Sequence, residues 1–214
     1  MKIGLMIPAN NTTMERELVA WLGAGTSCDT VRIPRPPGLL TERSVPAYVE
    51  KARELAAKYA GGKIEALVYG CTAAGFLMGP KADADLAADL RAASGKRVVT
   101  TARAMVQVLQ DAEDLAVVTP YPEEVNRRLR AFLESSGIGV RRLATFGAAS
   151  TEVLGRITSE QVEALARETM GEDCGALFIA CSQLPTYDIV PSLQRDFARP
   201  VWSSIQATAH AVRQ

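Results

Sequence analysis

Hydrophobic residues in this chain come in short unbroken runs separated by longer stretches of helical spacing. Ile3-Gly-Leu-Met-Ile-Pro8, Leu115-Ala-Val-Val-Thr-Pro120 and the runs opening at Ile64 and Cys174 are largely continuous rather than alternating. Continuous runs rich in Val, Ile and Leu fit parallel strands covered by helices on both faces. Val31-Arg-Ile-Pro34, Val98-Val-Thr-Thr101, Arg141-Arg-Leu-Ala-Thr145 and Val201-Trp-Ser-Ser204 complete the predicted strands. Between them apolar positions follow a helical period, as at Ala102, Met105 and Leu109, at Val125, Leu129 and Leu133, and at Tyr48, Leu55 and Tyr59. The alternation predicts an α/β fold with strands joined by crossover helices.

The pattern runs twice. Ile64-Glu-Ala-Leu-Val-Tyr-Gly-Cys71-Thr-Ala is answered by Cys174-Gly-Ala-Leu-Phe-Ile-Ala-Cys181-Ser-Gln, with Cys181 lying 110 positions after Cys71. Pro120 follows Pro8 by 112 positions, and a helix opening near Ser44 has its counterpart near Thr158. Each half reads as four strand–helix units. The prediction is two pseudo-symmetric Rossmann-like lobes, each a four-stranded parallel sheet flanked by helices, with a cleft between them. Residues 1–100 form the first lobe, with a C-terminal helix over 205–214 packing back on it, and residues 101–204 form the second. Ligands of such sheets bind beyond the carboxyl ends of the strands. That rule gathers Asn10, Asn11, Cys71, Thr72, Tyr121, Cys181 and Ser182 around one cleft.

Composition narrows the function classes. With 214 residues, 48% of them apolar, the chain can bury a sizeable core. Its 24 basic and 24 acidic residues form no run of either sign, which argues against a nucleic-acid or anionic-membrane partner. No leader pattern or membrane-length apolar stretch is present, and four cysteines without a C-x-x-C pair suit free thiols in a reducing compartment. The expectation is a cytoplasmic protein. The lone histidine, His210, reads as a surface or structural residue of the last helix, and no ligand cluster predicts a metal. Neither G-x-G-x-x-G nor a P-loop occurs, so no cofactor is expected. Pro34-Arg-Pro-Pro-Gly38 reads as a rigid loop.

Acid–base or nucleophilic work then falls to the thiols. A thiol acts as thiolate, and a helix N-terminus lowers its pKa. Cys71 and Cys181 both end strands where a helix can begin, and the backbone N–H groups of Thr72, Ala73, Ser182 and Gln183 would also hold a carboxylate. Cys28 and Cys174 read as buried small hydrophobes. In Pro8-Ala-Asn-Asn-Thr-Thr-Met-Glu15, Thr12 and Glu15 fit a capping box, which leaves Asn10 and Asn11 free for a ligand. Tyr121 takes the matching place in the second lobe, with Pro122 as a first helical residue.

These strings resemble the cofactor-independent Asp/Glu racemase superfamily and, within it, the maleate cis–trans isomerases and arylmalonate decarboxylases. Pro8-Ala-Asn-Asn-Thr-Thr-Met-Glu15 looks like the isomerase string Pro-Ser-Ser-Asn-Thr-Thr-Met-Glu. Tyr69-Gly-Cys-Thr72, Pro120-Tyr121 and Ala180-Cys181 match motifs further along, so the resemblance spans essentially the whole chain. It implies that Cys71 is a nucleophile toward an alkene carbon, that Cys181 is the facing acid/base, and that Asn11 and Tyr121 hold carboxylates. It also implies a small-molecule carboxylate substrate and a homodimer or larger homo-oligomer. The decarboxylase branch has Gly in place of the first cysteine, so Cys71 points away from that branch. Where the isomerases carry an Asn-rich loop, this chain reads Ala148-Ala-Ser-Thr-Glu152, with Ser150 or Thr151 as shorter donors. Gln183 after the second cysteine is a further departure.

The expected activity is isomerisation of a small unsaturated dicarboxylate, maleate to fumarate, by thiolate addition and elimination through an enediolate. A two-cysteine racemase or epimerase of a carbon acid is the chief alternative. An arylmalonate-type decarboxylase and a non-catalytic small-anion binding protein are the others.

Overall fold

The computed structural model describes residues 1–35 and 38–214, so Pro36 and Pro37 of the proline-rich loop lie outside the described residues. The first half runs β1 (Lys2–Pro8), α1 (Met14–Leu22), β2 (Ser27–Ile33), α2 (Val45–Ala56), a 3-10 turn (Ala57–Tyr59), β3 (Ala66–Tyr69), α3 (Thr72–Leu77), α4 (Gly79–Ser94), β4 (Arg97–Thr100) and α5 (Thr101–Leu109). The second runs β5 (Leu115–Thr119), α6 (Glu123–Ser135), β6 (Val140–Thr145), α7 (Thr151–Leu154), α8 (Ser159–Thr169), β7 (Ala176–Ile179), α9 (Val190–Phe197), β8 (Val201–Ser203) and α10 (Ser204–Arg213).

The strands form two four-stranded sheets ordered β2-β1-β3-β4 and β6-β5-β7-β8, with every pairing parallel. The two inner strands of each sheet send their connections to opposite sides. That reversal opens a crevice at their carboxyl ends. Gly70 and Ala180 continue the two equivalent inner strands, their N–H groups donating to Met6 O and Val118 O, each at 2.8 Å. The next residue in each case is a cysteine.

Packing follows the alternation of side chains along each strand. Ile3, Leu5 and Ile7 of β1 face Met14 and Leu18 of α1 and Ile205, Ala207 and Val212 of α10. Met6 faces the other way, into the core that includes Tyr48, Val49 and Tyr59. Burying an aliphatic side chain of this size stabilises by about 1.5–3 kcal/mol. Gly4 is required on that second face, because a Cβ there would stand 2.6 Å from Ile64 Cδ1 and 2.9 Å from the Tyr59 ring. The C-terminal helix α10 thus covers the first sheet, although its chain neighbour β8 belongs to the second.

The regular strand–helix alternation departs from expectation in three places. The helical stretch after β3 breaks at Gly79, whose φ of +84° ends α3 and restarts the chain as α4. A short α7 precedes α8 in the second half. After Cys181 the chain makes turns and no helix until Val190.

Candidate active site

Pro8, Tyr69, Thr119 and Ile179 end the inner strands, and the residues after them converge on one cleft. Cys71, Cys181, Asn10, Asn11, Thr72, Ala73, Tyr121, Ser182 and Gln183 all line it. Ser150 does not: its hydroxyl accepts from Val153 N at 3.3 Å and caps α7, and Leu154 of that helix is what reaches the cleft.

Asn11 has a local task that the capping-box reading missed. Its Oδ1 accepts from Thr13 N at 3.1 Å and Met14 N at 2.9 Å, so Asn11, and not Thr12, satisfies the free N–H groups at the start of α1. Its amide nitrogen donates across the cleft to Ser182 O at 3.1 Å and Ser182 Oγ at 3.2 Å. The Ser182 hydroxyl in turn donates to Gly70 O at 2.9 Å, beside Cys71. Pro122 is also shifted by one from expectation, forming the N-cap of α6 rather than its first residue.

Cys71 is the N-cap of α3 with extended backbone, and its side chain is buried. Cys181 holds a φ of +129°, a region L-residues rarely adopt. That conformation is braced by Ser204 Oγ, which accepts from Cys181 N at 3.0 Å, and by Gln183 N, which donates to the Cys181 sulfur at 3.4 Å. Without a following helix, the Cys181 sulfur receives turn N–H groups in place of the expected helix dipole.

Burial decides the acidity of both thiols. It pushes Cys71 up to about 11, against the pull of the Ala74 N–H, the Arg35 charge and the Tyr48 hydroxyl; the Cys181 thiol adds to the rise. Cys181 is also raised by burial, against the N–H groups of Gln183 and Leu184, the Tyr121 hydroxyl and Arg35. The expected fall in pKa at a helix start is therefore reversed: desolvation outweighs the N–H donors. Both are thiols at rest near neutral pH. The buried hydroxyls of Tyr48, Tyr121 and Thr72 have no hydrogen-bond partner among the described residues, although Tyr48 stands beside Cys71 and Tyr121 beside Cys181.

A family model described as arylmalonate decarboxylase matches residues 38–214. The chain belongs to the arylmalonate decarboxylase family. A maleate isomerase of Nocardia farcinica is 28% identical over 99% of this chain and 88% of that protein. The solved structure of Nocardia farcinica maleate cis–trans isomerase bound to TRIS superposes with a TM-score of 0.89, at 28% identity, over 99% of this chain and 90% of that one. A Cys-to-Ser mutant of that isomerase, with a covalently bound succinylcysteine intermediate, superposes with a TM-score of 0.88 at 27% identity, over the same shares.

Within this arylmalonate decarboxylase family member, several cleft residues carried no signal in the sequence pattern. Arg35, Leu39, Leu40 and Leu154 line the cleft from loops and a one-turn helix. Tyr48, which stands behind the lining beside Cys71, sits in α2 at a spacing that reads only as core. The cleft so built has hydroxyls, the side-chain amides of Asn10, Asn11 and Gln183 and one positive side chain beside an apolar stretch of Leu39, Leu40 and Leu154. Among the described residues, no group of His, Cys, Asp and Glu could hold a metal ion, and no helix is long and apolar enough to cross a membrane.

Proposed function

We propose that this protein is a cofactor-independent cis–trans isomerase of a small unsaturated dicarboxylate, converting maleate to fumarate. The observation that carries this reading is the pairing of two buried thiols, one from each sheet, on a single cleft, each beside a tyrosine hydroxyl with no partner of its own. The isomerase relatives, and the succinylcysteine in one of them, support a carbon–sulfur bond as the central step.

In this mechanism Cys71 gives its proton to solvent and its sulfur lone pair forms a bond to one alkene carbon. The π pair moves onto the adjacent carboxylate as an enediolate, which hydroxyl and N–H donors of the cleft stabilise. Tyr121 and Thr72, with the backbone N–H groups of Ala73 and Ser182, are the proposed donors, and Asn10, Asn11 and Gln183 hold the wall they stand on. The central bond, now free of double-bond character, rotates. Return of the electron pair re-forms the alkene and expels the Cys71 thiolate. Cys181 stays a thiol and donates to the intermediate. Tyr48 and Arg35 favour the thiolate form of Cys71. The two thiol-bearing lobes are taken as residues 1–100 with 205–214, and residues 101–204.

Proton NMR of maleate with the protein in deuterated buffer tests the reading. A fumarate vinyl signal with wild type and none with Cys71→Ala is expected; unchanged maleate under both removes it. The facing thiols also suit a two-base racemase, in which one thiolate takes an α-proton and the opposite thiol returns one. Solvent deuterium entering the α-position of an amino acid or related carbon acid, with maleate untouched, would select that alternative.

A further inference from the structure

Arg35 is the one charged side chain among the described residues lining the cleft. It enters from the loop after β2, outside every repeated motif. Its guanidinium is tethered on two corners: Nη1 donates to Asn10 Oδ1 at 3.3 Å and Nη2 donates to the Gly38 carbonyl. Both partners are neutral oxygens. The Nε–H is buried without a partner among the described residues. A half-buried cation with an unused donor favours an anion as partner, since an unpaired charge away from water is costly.

The surroundings restrict what that anion can be. Leu39, Leu40 and Leu154 give the same cleft an apolar side and Asn10, Asn11, Thr72, Tyr121, Ser182 and Gln183 line it with neutral polar groups, so among the described lining residues no carboxylate offsets the Arg35 charge. The positive field reaches across the cleft, since Arg35 acts on both thiols and on the hydroxyls of Tyr48 and Tyr121. A ligand whose first carboxylate meets the hydroxyl donors near the thiols would lie in the same cleft that Arg35 lines, with its second anionic group left to find a partner there.

We propose that Arg35 is the specificity-determining residue of this cleft, pairing with the second carboxylate of a small dicarboxylate and selecting dianions over monoanions. The proposal rests on the dicarboxylate reading above. It assigns to a loop residue the choice of substrate charge, and leaves bond making to the thiols.

Titration calorimetry with succinate and succinamate separates this role from catalysis, because neither ligand has an alkene to isomerise. Wild type is expected to bind succinate at least about tenfold more tightly than succinamate, the usual scale for one charged contact in a protected site. Arg35→Met should remove that preference while leaving succinamate affinity within about threefold. Arg35→Lys, which retains the charge and loses the fork, should keep part of the preference. Equal weakening of both ligands in Arg35→Met would assign Arg35 to holding the loop and overturn the proposal. So would a preserved preference, or the absence of binding to wild type. If Arg35→Met fails to fold, a lysine variant with no more preference than a neutral site would overturn it. Loss of dianion preference in a protein that makes no fumarate from maleate sinks the isomerase reading and leaves this one; fumarate formation with an Arg35-independent preference does the reverse.

Discussion

Gln183 and Thr12 are joined by two hydrogen bonds across the cleft: Thr12 N donates to Gln183 Oε1 at 3.1 Å, and Gln183 Nε2 donates to Thr12 Oγ1 at 3.0 Å. The Asn11–Ser182 pair lies beside them, and the buried Glu17 carboxylate accepts from Thr186 N at 2.9 Å and Tyr187 N at 3.1 Å. Residues after the first strand therefore hold the turn that follows Cys181. A helix is not needed to fix that thiol: Ser204 and Gln183 brace Cys181 itself, and the opposite lobe holds the turn after it.

Replacing Gln183 by Leu should expose the worth of this stitch. Both bonds go, and since Thr12 is exposed its N–H turns to water, so the loss is the net worth of the bonds, about 0.5–1.5 kcal/mol each. For a chain this long that corresponds to a fall in Tm of roughly 2–4 °C per kcal/mol. The rate of the proposed maleate conversion should fall more than tenfold at saturating substrate, because the thiols lose their mutual placement. A melting curve equal to wild type would mean that the stitch adds nothing. Thr12→Val, which keeps the backbone bond, should fall between the two.

The φ of +129° at Cys181 predicts an unusual order of stabilities. Cys181→Ala and Cys181→Gly both lose the sulfur, but only alanine keeps a Cβ in the strained conformation. Glycine normally destabilises relative to alanine by roughly 0.5–1 kcal/mol. Here the order should invert, with the glycine variant more stable by about 1 kcal/mol in urea unfolding. Both should lack turnover. Maleate added to Cys181→Ala should leave added mass on Cys71, and unmodified Cys71 under those conditions would remove its proposed role as nucleophile.

The raised Cys71 pKa sets the pH profile. If the thiolate of the free enzyme attacks, kcat/KM should climb about tenfold per pH unit from neutral pH upward, since the group titrates at about 11 rather than near its ordinary value of 9.0. Alkylation of Cys71 by iodoacetamide should follow the same slope. Tyr48→Phe removes a hydroxyl that favours the thiolate, so its profile should shift to higher pH. A plateau beginning near pH 8 or 9 would mean that the site deprotonates Cys71 more readily than its burial implies.

Most of the scaffold is legible in the chain because a doubled parallel fold writes its inner strands as apolar runs. The runs ending at Tyr69 and Ile179, and the caps at Ser44 and Thr158, lie where the pattern puts them. Edge strand β2 starts at Ser27, earlier than Val31, because its half-exposed residues need no apolar run. The site is legible only where it follows strand ends. Arg35 reaches the cleft from a loop and Leu154 from the one-turn α7, Tyr48 is indistinguishable from core, and Ser150 spends its hydroxyl on a cap. The capping role of Asn11 competes with Thr12 on equal local terms, and the contact to Ser182, 171 positions away, decides it.

Asp83 gives a stability prediction with a definite sign. It is buried on α4, where its Oδ2 accepts from Thr100 Oγ1 at 2.7 Å, and its Oδ1 would stand 2.9 Å from a Cβ at Gly75 of α3. Burial raises its pKa from 3.8 to about 6, against the Thr100 hydrogen bond and the Arg103 charge. Between those values the folded chain holds a proton that the unfolded chain has released, so stability falls as pH rises. The total is roughly 3 kcal/mol, fully lost above the folded pKa. Asp83→Asn has no charge to desolvate. Its urea stability relative to wild type should therefore improve by about that amount between pH 3 and pH 7. Glu17, also raised by burial, shifts both proteins alike and cancels in the difference. A difference that stays constant with pH, or worsens for the variant as pH rises, would show that Asp83 is ionised at no cost beneath the helix that carries Cys71.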